Sequence, residues 1–111
     1  MRFVCSTNTN VINSFTKTIL KNKLHHLTGS GIKKLIQSNG KIYCAGIVYD
    51  NGTAVGCAIT SYDYMFGANI GVYIAPQYRK RGLAKELINR VVDKTFNINP
   101  GFKITPSKYD L

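Results

Sequence analysis

The dipeptide Asn51-Gly52 stands between two runs rich in β-branched, aromatic and small apolar residues, Lys41 to Tyr49 and Thr53 to Tyr62. Both residues of a two-residue type I′ turn need positive φ, which Asn and Gly adopt at least cost, so Asp50-Asn51-Gly52 predicts a tight hairpin of antiparallel strands. A chain with this hairpin at its centre must build a sheet around it and cover that sheet with whatever helices the flanks supply.

The flanks read accordingly. Phe3-Val4-Cys5 makes a short strand. Asn10 reads as the N-cap of a helix with an apolar stripe of Val11, Ile12, Phe15, Ile19, Leu20, Leu24 and Leu27, broken at Thr28-Gly29-Ser30-Gly31. A second, shorter helix is expected from Ile32 to Gln37, stopped by Asn39-Gly40. After the hairpin and the loop Asp63-Tyr64-Met65-Phe66-Gly67 comes a third antiparallel strand, Ala68 to Ala75, which Pro76 ends because proline cannot donate to a ladder. A helix from Gly82 to Phe96 carries Leu83, Leu87, Val91 and Thr95, with Ala84, Ile88 and Val92, on one stripe, while Lys85, Glu86, Arg90 and Lys94 fall outside it. Phe102 to Thr105 is expected to add a last strand before Pro106. The expected fold is a single α/β (α+β) domain over residues 1–111, with a mostly antiparallel central sheet of about five strands flanked by helices.

Between the third strand and the long helix lies Tyr78-Arg79-Lys80-Arg81-Gly82-Leu83-Ala84. The first N–H groups of a helix have no partner within it, and the helix dipole places roughly half a positive charge there, so this turn is suited to hold a pyrophosphate. Gly82 lets an anion approach the backbone, and Arg79, Lys80 and Arg81 add full charges. The same three cations also admit a reading as part of a nucleic-acid patch, which leaves the glycine and the small residue after it unexplained.

Charge narrows the partners. Residues 1–49 hold seven basic and no acidic groups, and residues 50–111 hold eight basic and five acidic groups, so the two parts carry +7 and +3. That field attracts phosphates, nucleic acid or an acidic protein surface and repels Lys- or Arg-rich peptides; a solubilising surface would look the same. Seven Tyr and five Phe with 44% hydrophobic residues argue for a folded globule rather than a disordered tail. No run approaches a membrane span or a secretory signal, so a cytoplasmic protein with no membrane partner is expected. Cys5, Cys44 and Cys57 lack metal-site spacing and read as reduced core residues, and no metal is expected. His25-His26 reads as a solvated or capping pair, since adjacent helical residues cannot face one ion.

The order of elements, the strand Gly71-Val72-Tyr73-Ile74-Ala75-Pro76 and the run Arg79-Lys80-Arg81-Gly82-Leu83-Ala84 resemble the GNAT superfamily of acyl-CoA N-acyltransferases, whose motif A reads Arg or Gln, two residues, Gly, one residue, Gly or Ala. The resemblance covers roughly residues 40 to 98 well and the flanks loosely. It implies acetyl-CoA or another acyl-CoA as co-substrate, with pantetheine beside Val72, Tyr73 and Ile74 and pyrophosphate on the turn formed by Arg79, Lys80, Arg81, Gly82, Leu83, Ala84 and Lys85. It further implies direct acetyl transfer to an amine of a protein or nucleic-acid-associated acceptor, with a backbone N–H near Val72 to Ile74 polarising the thioester carbonyl. Gly71 would allow a local bulge where the strands splay, and it also reads as a plain packing accommodation in a strand.

For proton transfer the candidates are Tyr73, Asp63 and Tyr109. The positions where some members carry a carboxylate hold Ala68 and Asn69, Asp63 also reads as a turn residue, and Tyr73 also reads as a β-favouring aromatic on the sheet. The family's further C-terminal helix and two strands have no counterpart after the last expected strand, which predicts an open acceptor groove, one completed by a second subunit in a homodimer, or one covered by a large partner. The alternative function is a non-catalytic CoA-binding or macromolecule-binding module of the same fold. By resemblance the first two helices border the acceptor site, and Lys17, Lys21, Lys23, Lys33 and Lys34 there favour an acidic partner.

Overall fold

The structure is a computed structural model, and it describes residues 1–24, 41–63 and 67–101. The elements are β1 (Arg2–Ser6), α1 (Thr9–Lys21), β2 (Lys41–Asp50), β3 (Thr53–Asp63), β4 (Gly67–Ile74), a 3₁₀ turn (Pro76–Tyr78) and α2 (Leu83–Ile98). The four described strands form one antiparallel sheet in the order β1-β2-β3-β4. The short helix expected at 32–37, the fifth strand at 102–105, His25-His26 and Leu27 lie outside the described residues. No helix of the described residues is long and apolar enough to cross a membrane.

The hairpin forms as its turn chemistry requires: Asn51 has φ 50° and Gly52 φ 84°, and Asp50 pairs with Thr53. Side chains then alternate to two faces. Ala45, Ile47, Cys57, Ile59 and Tyr73 pack with Ile12, Ile19 and Leu24 of the α1 side. Cys44, Val48, Val55, Ala58 and Ile74 pack with Leu83, Leu87 and Val91 of α2 on the opposite side. The sheet is thus the middle of three layers, and its central strands are buried on both faces.

Two register shifts interrupt β2–β3, between Ile42 and Cys44 and between Val48 and Tyr49. At the second, Val55 is the extra residue, so Val55 and Gly56 both project toward α2. A Cβ at Gly56 would lie 2.5 Å from Ile74 Cδ1 and 2.9 Å from Val48 Cγ1, which explains the glycine. The β3–β4 ladder, by contrast, runs without a shift from Gly56↔Ile74 to Asp63↔Gly67, so β4 shows no bulge at Gly71 on its β3 side.

Both ends of α1 differ from expectation. The N-cap is Asn8 rather than Asn10: Asn8 Oδ1 accepts from the N–H of Asn10 at 2.9 Å and of Val11 at 3.3 Å. At the other end the helix stops at Lys21, before the expected Thr28-Gly29 break. Lys23 takes a left-handed φ of 55°, its N–H donates to Leu20 O at 3.2 Å, and Leu24 N–H donates to Ile19 O at 3.0 Å. These paired bonds are a Schellman motif, closed by the buried Ile19 and Leu24. Val11 and Leu20, placed on the apolar stripe by spacing, are exposed, while Ile12 and Ile19 are buried.

Candidate active site

The site is built where β4 hands over to α2. Ala75 N–H donates to Val55 O at 2.8 Å, so at Ala75 the backbone points into the sheet. Backbone direction alternates along a strand, and the register Cys57↔Tyr73 and Ile59↔Gly71 continues the same phase. The N–H and C=O groups of Val72 and Ile74 therefore point away from β3, toward the side of β4 that no described strand covers. Of the three residues expected beside a pantetheine, Val72 and Ile74 turn their backbone groups outward, the Ile74 C=O accepting from Arg79 Nε, and Tyr73 spends its own on the ladder.

After β4 the 3₁₀ turn closes with Tyr78 N–H to Ala75 O at 2.9 Å and Arg79 N–H to Pro76 O at 3.3 Å. Two left-handed residues then reverse the chain, Lys80 at φ 64° and Gly82 at φ 77°. Gly82 is the N-cap of α2 and provides no side-chain cap, and the first helical bond runs from Glu86 N–H to Gly82 O at 3.1 Å. The N–H groups of Leu83, Ala84 and Lys85 thus begin the helix uncapped, with Lys80, Arg81 and Lys85 exposed around them. A Cβ built on Gly82 would meet nothing within 4 Å among the described residues. Leu83 is buried and Ala84 half-buried against the α2-side core; these two contribute N–H groups rather than side chains.

The basic side chains are not splayed at random. Arg79 turns back, its Nε donating to Ile74 O at 2.8 Å and its guanidinium 5.5 Å from the Tyr73 ring centroid. Arg81 lies over the Tyr78 ring at 5.2 Å, and the Tyr78 hydroxyl donates to Asp50 Oδ2 at 2.7 Å. The hairpin turn is in this way tied to the basic turn. Tyr78 is held in its neutral form: the hydrogen bond to Asp50, then burial and the Asp50 charge, push its pKa above the usual value against the opposing pull of Arg81.

Of the residues expected to move protons, Tyr73 is 6% exposed within the core on the α1 side. Asp63 is the last residue of β3, paired with Gly67, rather than the start of a loop. Tyr109 lies outside the described residues. The three cysteines are free thiols, with Cys44 and Cys57 buried and Cys5 half-buried. Sequence reasoning missed Asp50 as a partner of the basic turn, because its position before Asn51-Gly52 already accounts for it as a turn residue. It also missed Ser61, whose buried hydroxyl has no hydrogen-bond partner among the described residues.

The uncapped, basic helix start and the outward-facing strand edge fit a ligand with an anionic end and an extended, amide-bearing arm. Residues 12–104 match the acetyltransferase (GNAT) family. Among solved structures, the aminoglycoside N-acetyltransferase AAC(6')-Iy in complex with CoA is similar at a TM-score of 0.55 and 24% identity, over 88% of this chain and 72% of that one. A second crystal form of the same enzyme aligns at a TM-score of 0.50 and 21% identity, over 96% of this chain and 80% of that one. No curated protein matches the sequence. With the family match spanning most of its length and the fold shared with a CoA-bound acetyltransferase structure, the chain belongs to the acetyltransferase (GNAT) family.

Proposed function

We propose that this protein is an acyl-CoA-dependent N-acetyltransferase that uses acetyl-CoA and acetylates an amine on an anionic partner. The observation that carries the reading is the succession of two binding elements: the outward backbone groups of Val72 and Ile74 and, across the 3₁₀ turn and the basic turn, the uncapped N-terminus of α2. This pair suits one long ligand, an arm pairing with the strand edge as an added strand would and a pyrophosphate ending on the helix. Acyl-CoA supplies an activated acyl group. In this chain the N–H groups of Leu83, Ala84 and Lys85 with Lys80 and Arg81 would hold the phosphates, and the N–H of Val72 or Ile74 would face the carbonyl. One preorganised donor of that kind is worth about 3 kcal/mol at a developing oxyanion.

The acceptor reading rests on charge. Lys17, Lys21 and Lys23 are exposed on and just after α1, and no acidic residue precedes Asp50. An amine presented on an acidic protein surface or bound to nucleic acid meets a favourable field there, and a cationic tail does not. A second reading, a CoA-binding module that does not transfer acetyl, is supported by the burial of Tyr73 in the core on the α1 side.

Calorimetric titration with acetyl-CoA and CoA, followed by a mass-shift screen of amine acceptors, tests these in turn. Binding with acetylated product supports transfer. Binding without product from any protein or nucleic-acid-bound amine supports the module. No binding by folded protein refutes both, and affinity for nucleic acid that falls steeply with salt and ignores CoA would assign the turn to a phosphate patch.

A further inference from the structure

Arg79 occupies the first position of the basic turn, where its charge is naturally assigned to the phosphates. Its observed contacts lie elsewhere. The Nε bond goes to Ile74 O, one of the outward-facing groups on the open side of β4, and the guanidinium rests on the ring of Tyr73, a residue locked into the core on the α1 side. Between the two anchored points the chain runs through Ala75, Pro76 and the short 3₁₀ turn. One side chain thus crosses back over that turn and fixes the end of the strand to the start of the anion loop.

We propose that Arg79 is a positioning residue that serves the strand edge rather than the phosphate. By holding Ile74 O and the Tyr73 ring, it sets the separation between the outward groups of Val72 and Ile74 and the uncapped N–H groups of Leu83 to Lys85, so that a single ligand reaches both. A planar guanidinium can donate from Nε in one direction while its remaining face rests on an aromatic ring; a lysine ammonium has neither the fork nor the flat face. The carbonyl keeps a second lone pair for a ligand amide. Ala75 N–H to Val55 O, the last bond of the β3–β4 ladder, lies immediately beside the strap and reports whether the strand end is held.

The inference rests on the acyl-CoA reading for its ligand, and the experiment separates the two. Wild-type protein, Arg79→Lys and Arg79→Ala are titrated with acetyl-CoA and with 3′-phospho-ADP, the nucleotide part without pantetheine, and amide exchange at Ala75 is measured in the free proteins. A positioning role predicts that acetyl-CoA affinity falls about tenfold in both variants, the size of one lost hydrogen bond that aligns the arm. The nucleotide alone should change by no more than about threefold in Arg79→Lys, as for an exposed charge contact. Ala75 should exchange faster in both. If Arg79→Lys restores acetyl-CoA binding and Arg79→Ala weakens both ligands equally, the side chain is a phosphate ligand and the proposal is wrong. Unchanged Ala75 exchange in both variants overturns it as well. Should wild-type protein bind neither ligand, the acyl-CoA reading fails, and faster or unchanged exchange at Ala75 still decides whether Arg79 holds the strand.

Discussion

The Tyr78 hydroxyl donates to Asp50 Oδ2 at 2.7 Å across 28 residues of sequence, joining the hairpin turn to the basic turn. A phenol that donates to a carboxylate is harder to deprotonate, so Tyr78 titrates above its ordinary value of 10.0. The sign follows: the bond contributes fully below that value and is lost as pH rises through the higher folded pKa. Following phenolate absorbance against pH, wild type minus Tyr78→Phe should show a tyrosine titrating late, and Asp50→Asn should move it back toward the ordinary range. A Tyr78 that ionises with the exposed tyrosines would refute the bond.

Behind the site a second polar pair ties the sheet to α2. Thr95 Oγ1 donates to Val91 O at 2.6 Å, which spends its proton, so the 2.6 Å contact with Thr60 Oγ1 must be donated by Thr60. Both residues are fully buried. Thr95→Val should cost about 1–3 kcal/mol, because it leaves the Thr60 proton without its acceptor. The double variant Thr60→Val/Thr95→Val should lose less than the sum of the singles, since no orphaned hydroxyl remains. A strictly additive cycle in urea denaturation would show that the two hydroxyls are not coupled.

Two glycines fail for different reasons when replaced by alanine. A Cβ at Gly46 would lie 2.8 Å from Val91 Cγ1, 2.9 Å from Cys5 Sγ and 3.2 Å from Leu87 Cδ1, so Gly46→Ala overpacks the interface of the sheet with α2. The expected cost is about 1–3 kcal/mol, with no direct effect on the turn. A Cβ at Gly82 would meet nothing within 4 Å among the described residues, but φ is 77°, so Gly82→Ala costs about 1–2 kcal/mol through backbone strain. Acetyl-CoA titration should separate them: affinity drops for Gly82→Ala and is retained by folded Gly46→Ala. The reverse pattern would move the anion site away from this turn.

Local chemistry made much of the fold legible. Asn51-Gly52 dictates its hairpin through φ alone, and the α2 stripe from Leu83 to Thr95 is buried as its spacing requires. The ends of α1 were not readable. Ser6-Thr7-Asn8-Thr9-Asn10 offers several capping side chains in succession, and the choice of Asn8 depends on where β1 releases the chain. The stop at Lys23 uses a left-handed lysine, a state the sequence marks only when glycine takes it. Alternation puts Tyr73 on the face opposite Val72 and Ile74 but does not say which face meets α1; the ring packs in the core on the α1 side. Pairings such as Tyr78 with Asp50 and Arg79 with Ile74 O depend on tertiary placement, which no spacing rule reaches.

The left-handed lysine makes its own prediction. Lys23 sits at φ 55° in the Schellman motif, where a side chain costs about 1–2 kcal/mol and glycine costs nothing. Glycine also loosens the unfolded chain, which returns about 0.4–1 kcal/mol of that gain. Lys23→Gly should therefore raise stability by up to about 1.6 kcal/mol in urea denaturation. A destabilised variant would mean that the lysine side chain makes a contact worth more than the strain.

Thiol chemistry tests the core as a whole. Burial pushes the thiols of Cys44 and Cys57 up to about 12, and it raises Cys5 too, although Lys94 and Arg90 nearby pull that thiol back toward ionisation. Reaction with a disulfide reagent requires thiolate and access, and Cys44 and Cys57 have neither in the folded protein. Native protein near neutral pH should label at Cys5 at most, slowly, and all three should label in urea, counted by mass. For each raised thiol the neutral form contributes stability that is complete below the ordinary cysteine value and is lost as pH rises through the folded one. Labelling of Cys57 as fast as Cys5 in the native state would place the β3 face of the sheet in solvent and undo the layering on which the site is built.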